Sequence, residues 1–188
     1  IHTARAIENF PISGVPIGHY QNLIRALGLI KAASAKANEK VGALDSRLTA
    51  AIFEASLEVA DGKLTKHFVV DAIQGGAGTS TNMNANEVIA NLALKLLGKP
   101  RGDYATINPN DHVNLSQSTN DVYPTAVRLT VLRACPALIE EQRLLVDALM
   151  AKAREFDDVI KVGRTQLMDA VPMRLGSEFR AFAVTVAE

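Results

Sequence analysis

Across residues 121–149 runs a helical pattern of about 30 residues, longer than most helices of globular proteins. Val127, Val131, Leu132, Leu138, Ile139, Leu144, Leu145, Ala148 and Leu149 mark it out. A helix of that length cannot cover its own apolar stripe, so the pattern predicts a helix bundle with partner helices. Pro136 lies inside it and predicts a kink or a local opening. A second helical pattern starts near Leu175 and is cut off at Glu188, with residues 162–172 as a structured turn between the two.

Upstream the periodicity is also helical. Residues 22–40 carry Leu23, Ala26, Leu27, Ile30, Ala33 and Ala37 on one stripe. Asp45 is placed to N-cap a second helix bearing Leu48, Ile52, Ala55, Val59 and Ala60, which Asp61-Gly62-Lys63 terminates. Residues 1–19 read as irregular, punctuated by Pro11, Gly14, Pro16 and Gly18. Residues 68–73 alternate loosely, as a short extended segment, and 99–110 read as a connection. The fold class is therefore mainly α: a small helical N-terminal domain over 1–116, then the beginning of a long-helix bundle over 117–188.

Two polar, hydroxyl-rich loops each lead into a helix. The first is Gln74-Gly75-Gly76-Ala77-Gly78-Thr79-Ser80-Thr81-Asn82-Met83-Asn84, after which Asn84 and Glu87 stand three apart as in a capping box. Val88, Ile89, Leu92, Ala93, Leu96 and Leu97 follow, until Gly98 and Pro100 stop the helix. The second loop is Asn110-Asp111-His112-Val113-Asn114-Leu115-Ser116-Gln117-Ser118-Thr119-Asn120-Asp121, with Asp121 and Pro124 suited to a first helical turn. A helix N-terminus presents unpaired N–H groups and a partial positive charge, so it favours an anion. Neither loop contains Lys or Arg, and the glycines match neither a P-loop nor the dinucleotide fingerprint, which points to a small carboxylate rather than a nucleotide. The alternative reading of the same residues is two well-capped helices with no ligand.

Composition excludes several classes. Twenty basic and 20 acidic residues give zero net charge and are mixed along the chain, without the basic patch a nucleic-acid surface needs. No run of 18 or more apolar residues and no signal-peptide pattern occurs, so no membrane partner is expected. Cys135 has no second cysteine to pair with and fits a reducing compartment, which predicts a cytoplasmic location. The opening Ile1 and the mid-pattern Glu188 read as cut ends. His67 has no neighbour at metal-ligand spacing, and no metal or other cofactor is expected.

Gly75 to Val88, then Pro109-Asn110-Asp111-His112-Val113-Asn114 and Gln117-Ser118-Thr119-Asn120-Asp121, resemble the aspartase/fumarase superfamily in order and spacing. Gly163-Arg164-Thr165-Gln166-Leu167 with Asp169-Ala170-Val171-Pro172, and the opening stretch from Ile1 to Phe10, match further blocks of that family. The resemblance spans essentially the whole chain. It implies abstraction of a proton beside a carboxylate, then expulsion of a leaving group from the next carbon to give fumarate or a related product. The doubly negative aci-carboxylate so formed has to be stabilised by preorganised donors.

By matching motif positions, the resemblance implies that Thr79, Ser118 and Thr119 hold the carboxylate next to the reacting carbon. Asn120 is implied to contact the leaving amino group and Thr165 the other carboxylate. Gln166 stands where many members carry His; it can hydrogen-bond substrate but cannot carry a proton near neutral pH. His112 falls in a block used for a secondary anion contact or for structure. Thr79-Ser80-Thr81-Asn82, Ser118-Thr119-Asn120 and Gln166 favour the branch that eliminates ammonia from L-aspartate over the class II hydratase branch. The family's mobile Gly-Ser-Ser loop, which carries the base, has no counterpart here. The resemblance therefore places the base serine beyond Glu188 and implies a homotetramer whose active sites are shared between subunits.

Overall fold

Six α-helices and one β-hairpin make up the computed structural model, which describes residues 1–188. In chain order they are α1 (His2–Asn9), α2 (Gln21–Lys40), α3 (Ser46–Ala60), α4 (Thr79–Leu96) and α5 (Thr119–Glu155), then strands β1 (Ile160–Thr165) and β2 (Met168–Arg174), and α6 (Leu175–Ala187). Short 3-10 turns at Ile17–His19 and Thr65–His67 and a π-helical turn at Pro109–Val113 complete the list. The expected mainly α class holds. No helix is long and apolar enough to cross a membrane. The chain divides into two units, Ile1–Arg133 and Ala134–Glu188.

In the first unit α2 and α3 pack closely enough that a Cβ on Gly28 would fall 2.6 Å from the Ala60 nitrogen and 2.7 Å from the Ser56 carbonyl oxygen. Any larger residue at that crossing pushes the helices apart. Ile24 and Leu27 of α2, Ile52 of α3 and Ile89 of α4 are fully buried in one core, joined by Phe68, Val70, Ile107 and Val122. Burying each such side chain contributes about 1.5–3 kcal/mol. Asp45 caps α3 as its sequence position foretells, accepting from Arg47 N at 2.8 Å and Leu48 N at 3.2 Å. The extended character of residues 68–73 survives as a single bridge, with Ile17 N donating to the Val70 carbonyl and Ala72 N to that of Val15.

Four local expectations need correction. Residues 1–19 are not uniformly irregular, because α1 forms from His2; the Glu87 carboxylate accepts from the His2 and Thr3 nitrogens and anchors its first turn. The α2 stripe is rotated: Ala33 and Ala37 are exposed, while Lys31, Ala35 and Asn38 point inward. Asn84 and Glu87 are not a helix start, because α4 begins five residues earlier at Thr79. Instead Asn84 accepts from Val69 N at 3.0 Å and donates to the His67 carbonyl at 3.0 Å, tying the preceding segment to the helix. At Pro136 the helix α5 continues without a break, so the proline removes one donor without opening the helix.

In the second unit, residues 162–172 form not a turn alone but an antiparallel hairpin with Ile160 paired to Arg174 and Thr165 to Met168. The hairpin is fixed to α6 by Lys161–Glu178 at 2.8 Å and to the turn after α5 by Arg174–Asp157 at 2.8 Å. Leu138, Ile139, Leu144, Leu145, Phe182 and Val184 remain exposed, which is the uncovered stripe the long helical pattern predicts.

Candidate active site

The two polar loops of the sequence meet in the first unit. Gly78 makes the first of them possible. Its φ of +86° is left-handed, and a Cβ there would lie 2.3 Å from the Tyr123 ring of α5. Only glycine lets the backbone reach α4 along that path. Thr79 then opens α4 with its side chain exposed, while Thr81 turns back to donate to Gln74 Oε1 at 3.3 Å.

The second loop ends in a reciprocal cap. Ser118 Oγ accepts from Asn120 N at 3.1 Å, and Asp121 Oδ2 accepts from Ser118 N at 3.3 Å. The capping box of the chain therefore stands at Ser118 and Asp121, not at Asn84 and Glu87. Asn120 keeps its side chain exposed at the N-terminus of α5, where unpaired N–H groups and the helix dipole favour negative charge. His112 does structural work: its Nδ1 accepts from Asn108 N at 2.8 Å, bracing the π-helical turn.

Beneath these loops lies a polar network absent from the sequence-based expectations. Asn82 Nδ2 donates to Thr119 Oγ1 at 3.1 Å and to Asn114 Oδ1 at 3.1 Å. The same Asn114 oxygen accepts from Lys31 Nζ at 2.9 Å, and Lys31 also donates to Gln117 Oε1 at 3.0 Å. Asn114 Nδ2 gives its proton to the Gln117 carbonyl at 3.0 Å. Lys31 is fully buried with no carboxylate beside it, and burial pushes its ammonium down to about 7. A signal for it existed. Lys31 sits four residues after Leu27 and four before Ala35, so a charge interrupts the buried face of α2.

Thr165 and Gln166 belong to the second unit, where both are exposed at the tip of the hairpin. The two-residue connection Gln166-Leu167 has φ of +49° and +64°, values that hairpin turns normally assign to Asn or Gly. Holding two such residues there costs on the order of 1–3 kcal/mol each, strain of the kind concentrated at functional sites. A cavity of about 470 Å³ in the first unit, lined by Thr3, Lys66, His67, Asn84, Glu87 and Lys95 among others, contains none of the six residues to which the resemblance gives a substrate-binding role.

Neutral hydroxyl and amide donors at two adjoining helix N-termini, backed by a buried amine, can bind a carboxylate and stabilise charge developing on it. Comparison with known proteins is consistent with this chemistry. The profile of the family described as Lyase matches residues 1–188. An aspartate ammonia-lyase from Pseudomonas fluorescens is 55% identical over 188 residues, covering 100% of this chain and 39% of the relative. The solved fumarate lyase:delta crystallin from Brucella melitensis in native form superposes with a TM-score of 0.91 at 57% identity, covering 100% of this chain and 44% of that one. A class II fumarase from Schistosoma mansoni superposes with a TM-score of 0.86 at 36% identity, covering 100% and 39%. The chain thus spans less than half the length of the proteins it matches.

Proposed function

This chain belongs to the Lyase family, and on that premise we propose that it is the N-terminal part of an aspartate ammonia-lyase, which eliminates ammonia from L-aspartate to give fumarate. Thr79, Ser118 and Thr119 bind the carboxylate beside the carbon that loses its proton, Asn120 accepts from the leaving ammonium, and Thr165 with Gln166, supplied by another subunit of the assembly, binds the other end of the substrate. The base is a serine beyond Glu188, so the 188 residues alone release no fumarate. The observation that carries the reading is the hydrogen bond from Asn82 to Thr119 at 3.1 Å. It holds two anion-favouring helix starts side by side, whereas helices that were merely capped would have no reason to share their first turns.

The exposed apolar faces of α5 and α6 fit a homotetramer in which several subunits complete each active site. A division into an N-terminal domain over 1–116 and a bundle from 117 suits that assembly, since α5 begins within two residues of it. The absence of a paired cysteine fits a cytoplasmic enzyme. Identity of 55% to an ammonia-lyase against 36% to a class II fumarase favours elimination of ammonia over hydration.

The test uses the full-length enzyme with L-aspartate and L-malate in separate reactions, each followed by ultraviolet absorbance of fumarate. The proposal expects aspartate to be the faster substrate. Faster turnover of malate would assign the chain to the hydratase, and turnover of neither would return the loops to a purely structural role.

A further inference from the structure

A threonine hydroxyl inside a helix usually gives its proton to the carbonyl four residues back. In this chain Thr125 does so to Asp121 at 2.7 Å, Thr130 to Ala126 at 2.7 Å and Thr185 to Ala181 at 3.1 Å. Thr119 is different. It is the first residue of α5, so the carbonyl four residues before it, that of Leu115, lies outside the helix, and that carbonyl already accepts from Asn38 Nδ2 at 2.9 Å and Gln117 Nε2 at 3.0 Å. Thr119 Oγ1 itself accepts from Asn82 Nδ2, and no protein group accepts its proton.

The orientation of Asn82 is not free to reverse. Its second N–H faces Asn114 Oδ1, and that atom must be oxygen because Lys31 Nζ donates to it and Asn114 Nδ2 is committed to the Gln117 carbonyl. The ammonium has three N–H groups and even the neutral amine has two, so Lys31 makes both of its bonds in either state. Turning the Asn82 amide over would set its oxygen against the Asn114 oxygen. The imposed orientation has a visible cost: Asn82 Oδ1 is buried and has no partner, a condition that destabilises by about 1–3 kcal/mol.

We propose that Asn82, held in register by Asn114 and Lys31, is a positioning residue that fills the inward side of Thr119 Oγ1, so that the Thr119 hydroxyl proton is available only to the substrate carboxylate. The inference rests on the lyase reading above and deepens it by naming what orients the binding hydroxyl. A preoriented donor needs no reorganisation as charge grows on the carboxylate, which is where such donors act most strongly.

The experiment is a double-mutant cycle in the full-length enzyme, with kcat and kcat/KM for L-aspartate measured for wild type, N82D, T119V and N82D/T119V. Asp at 82 has nearly the same shape but accepts where Asn donates, so it draws the Thr119 proton inward. The expected result is a loss of roughly a hundredfold in both constants for N82D, of the same order as for T119V, with the double variant little worse than either. If N82D does not assemble as the wild type does, N82A runs through the same cycle with an expected loss of at least about tenfold that is likewise absorbed by T119V. Near-wild-type turnover by the Asn82 variant, or losses that multiply in the double variant, would overturn the inference. Wild-type enzyme inactive on both aspartate and malate would instead strike the lyase reading itself.

Discussion

Asn82 on α4 and Thr119 on α5 share a hydrogen bond of 3.1 Å across 37 residues of sequence. Neither residue belongs to the hydrophobic core, yet this contact sets the spacing of the two helix starts on which the proposed chemistry depends. Gly78 and Tyr123, four residues before the one and four after the other, reinforce it by close packing.

Gly78→Ala tests that packing. The new Cβ meets the Tyr123 ring and the backbone remains at φ +86°, so both steric and conformational terms oppose it. The full-length enzyme carrying G78A is expected to lose about 1–3 kcal/mol of stability, read by calorimetry. G78A/Y123A is expected to recover the steric part and keep the conformational part. Full recovery in the double variant would mean the left-handed backbone contributes nothing.

Asp71 provides a pH test. Its carboxylate accepts from Ser13 Oγ at 2.7 Å, Ser13 N at 2.8 Å, Gly14 N at 2.9 Å and Ile73 N at 2.8 Å. The Ser13 hydroxyl, followed by the backbone donors, holds it well below the usual carboxylate range against the opposing effect of desolvation. A carboxylate depressed on folding stabilises the native state above its unfolded pKa and loses that contribution as pH falls through the folded value. The Tm difference between wild type and Asp71→Asn is therefore expected to be largest near neutral pH and to shrink below about pH 4. A difference that does not change with pH would mean the loop contacts matter only through shape.

The hairpin tip sets stability against function. Replacing Gln166-Leu167 by Asn-Gly places residues at φ +49° and +64° that adopt them readily. The double replacement is expected to stabilise the full-length enzyme by about 1 kcal/mol or more and to lower kcat, because the proposed Gln166 contact is lost. Raised Tm with unchanged kcat would remove Gln166 from the site.

The helices could be read from the sequence because their signals are local. Asp45, the apolar stripes and the start of α6 at Leu175 each depend on neighbours within a few residues. The motif blocks likewise named Thr79, Ser118 and Thr119 without reference to any distant contact. What escaped depends on distant partners. Lys31 interrupts an apolar face of α2, but the groups that accept from its amine, Asn114 and Gln117, lie more than 80 residues away. Asn84 resembles a cap until Val69 and His67 occupy both of its amide atoms. The hairpin at 160–174 lacks the Asn-Gly turn that announces one, and its strained tip is visible only in the backbone angles.

The account stands or falls most directly on Thr119. In the full-length enzyme, Thr119→Val keeps the shape of the side chain and removes the hydroxyl whose oxygen accepts from Asn82. Turnover of L-aspartate, followed as fumarate, is expected to fall roughly a hundredfold in kcat and kcat/KM alike, with Tm lowered by only a few degrees. Thr119→Ser, which restores the hydroxyl, is expected to remain within about tenfold of wild type. Wild-type turnover by T119V together with a collapsed Tm would contradict the account, leaving these loops as helix caps alone.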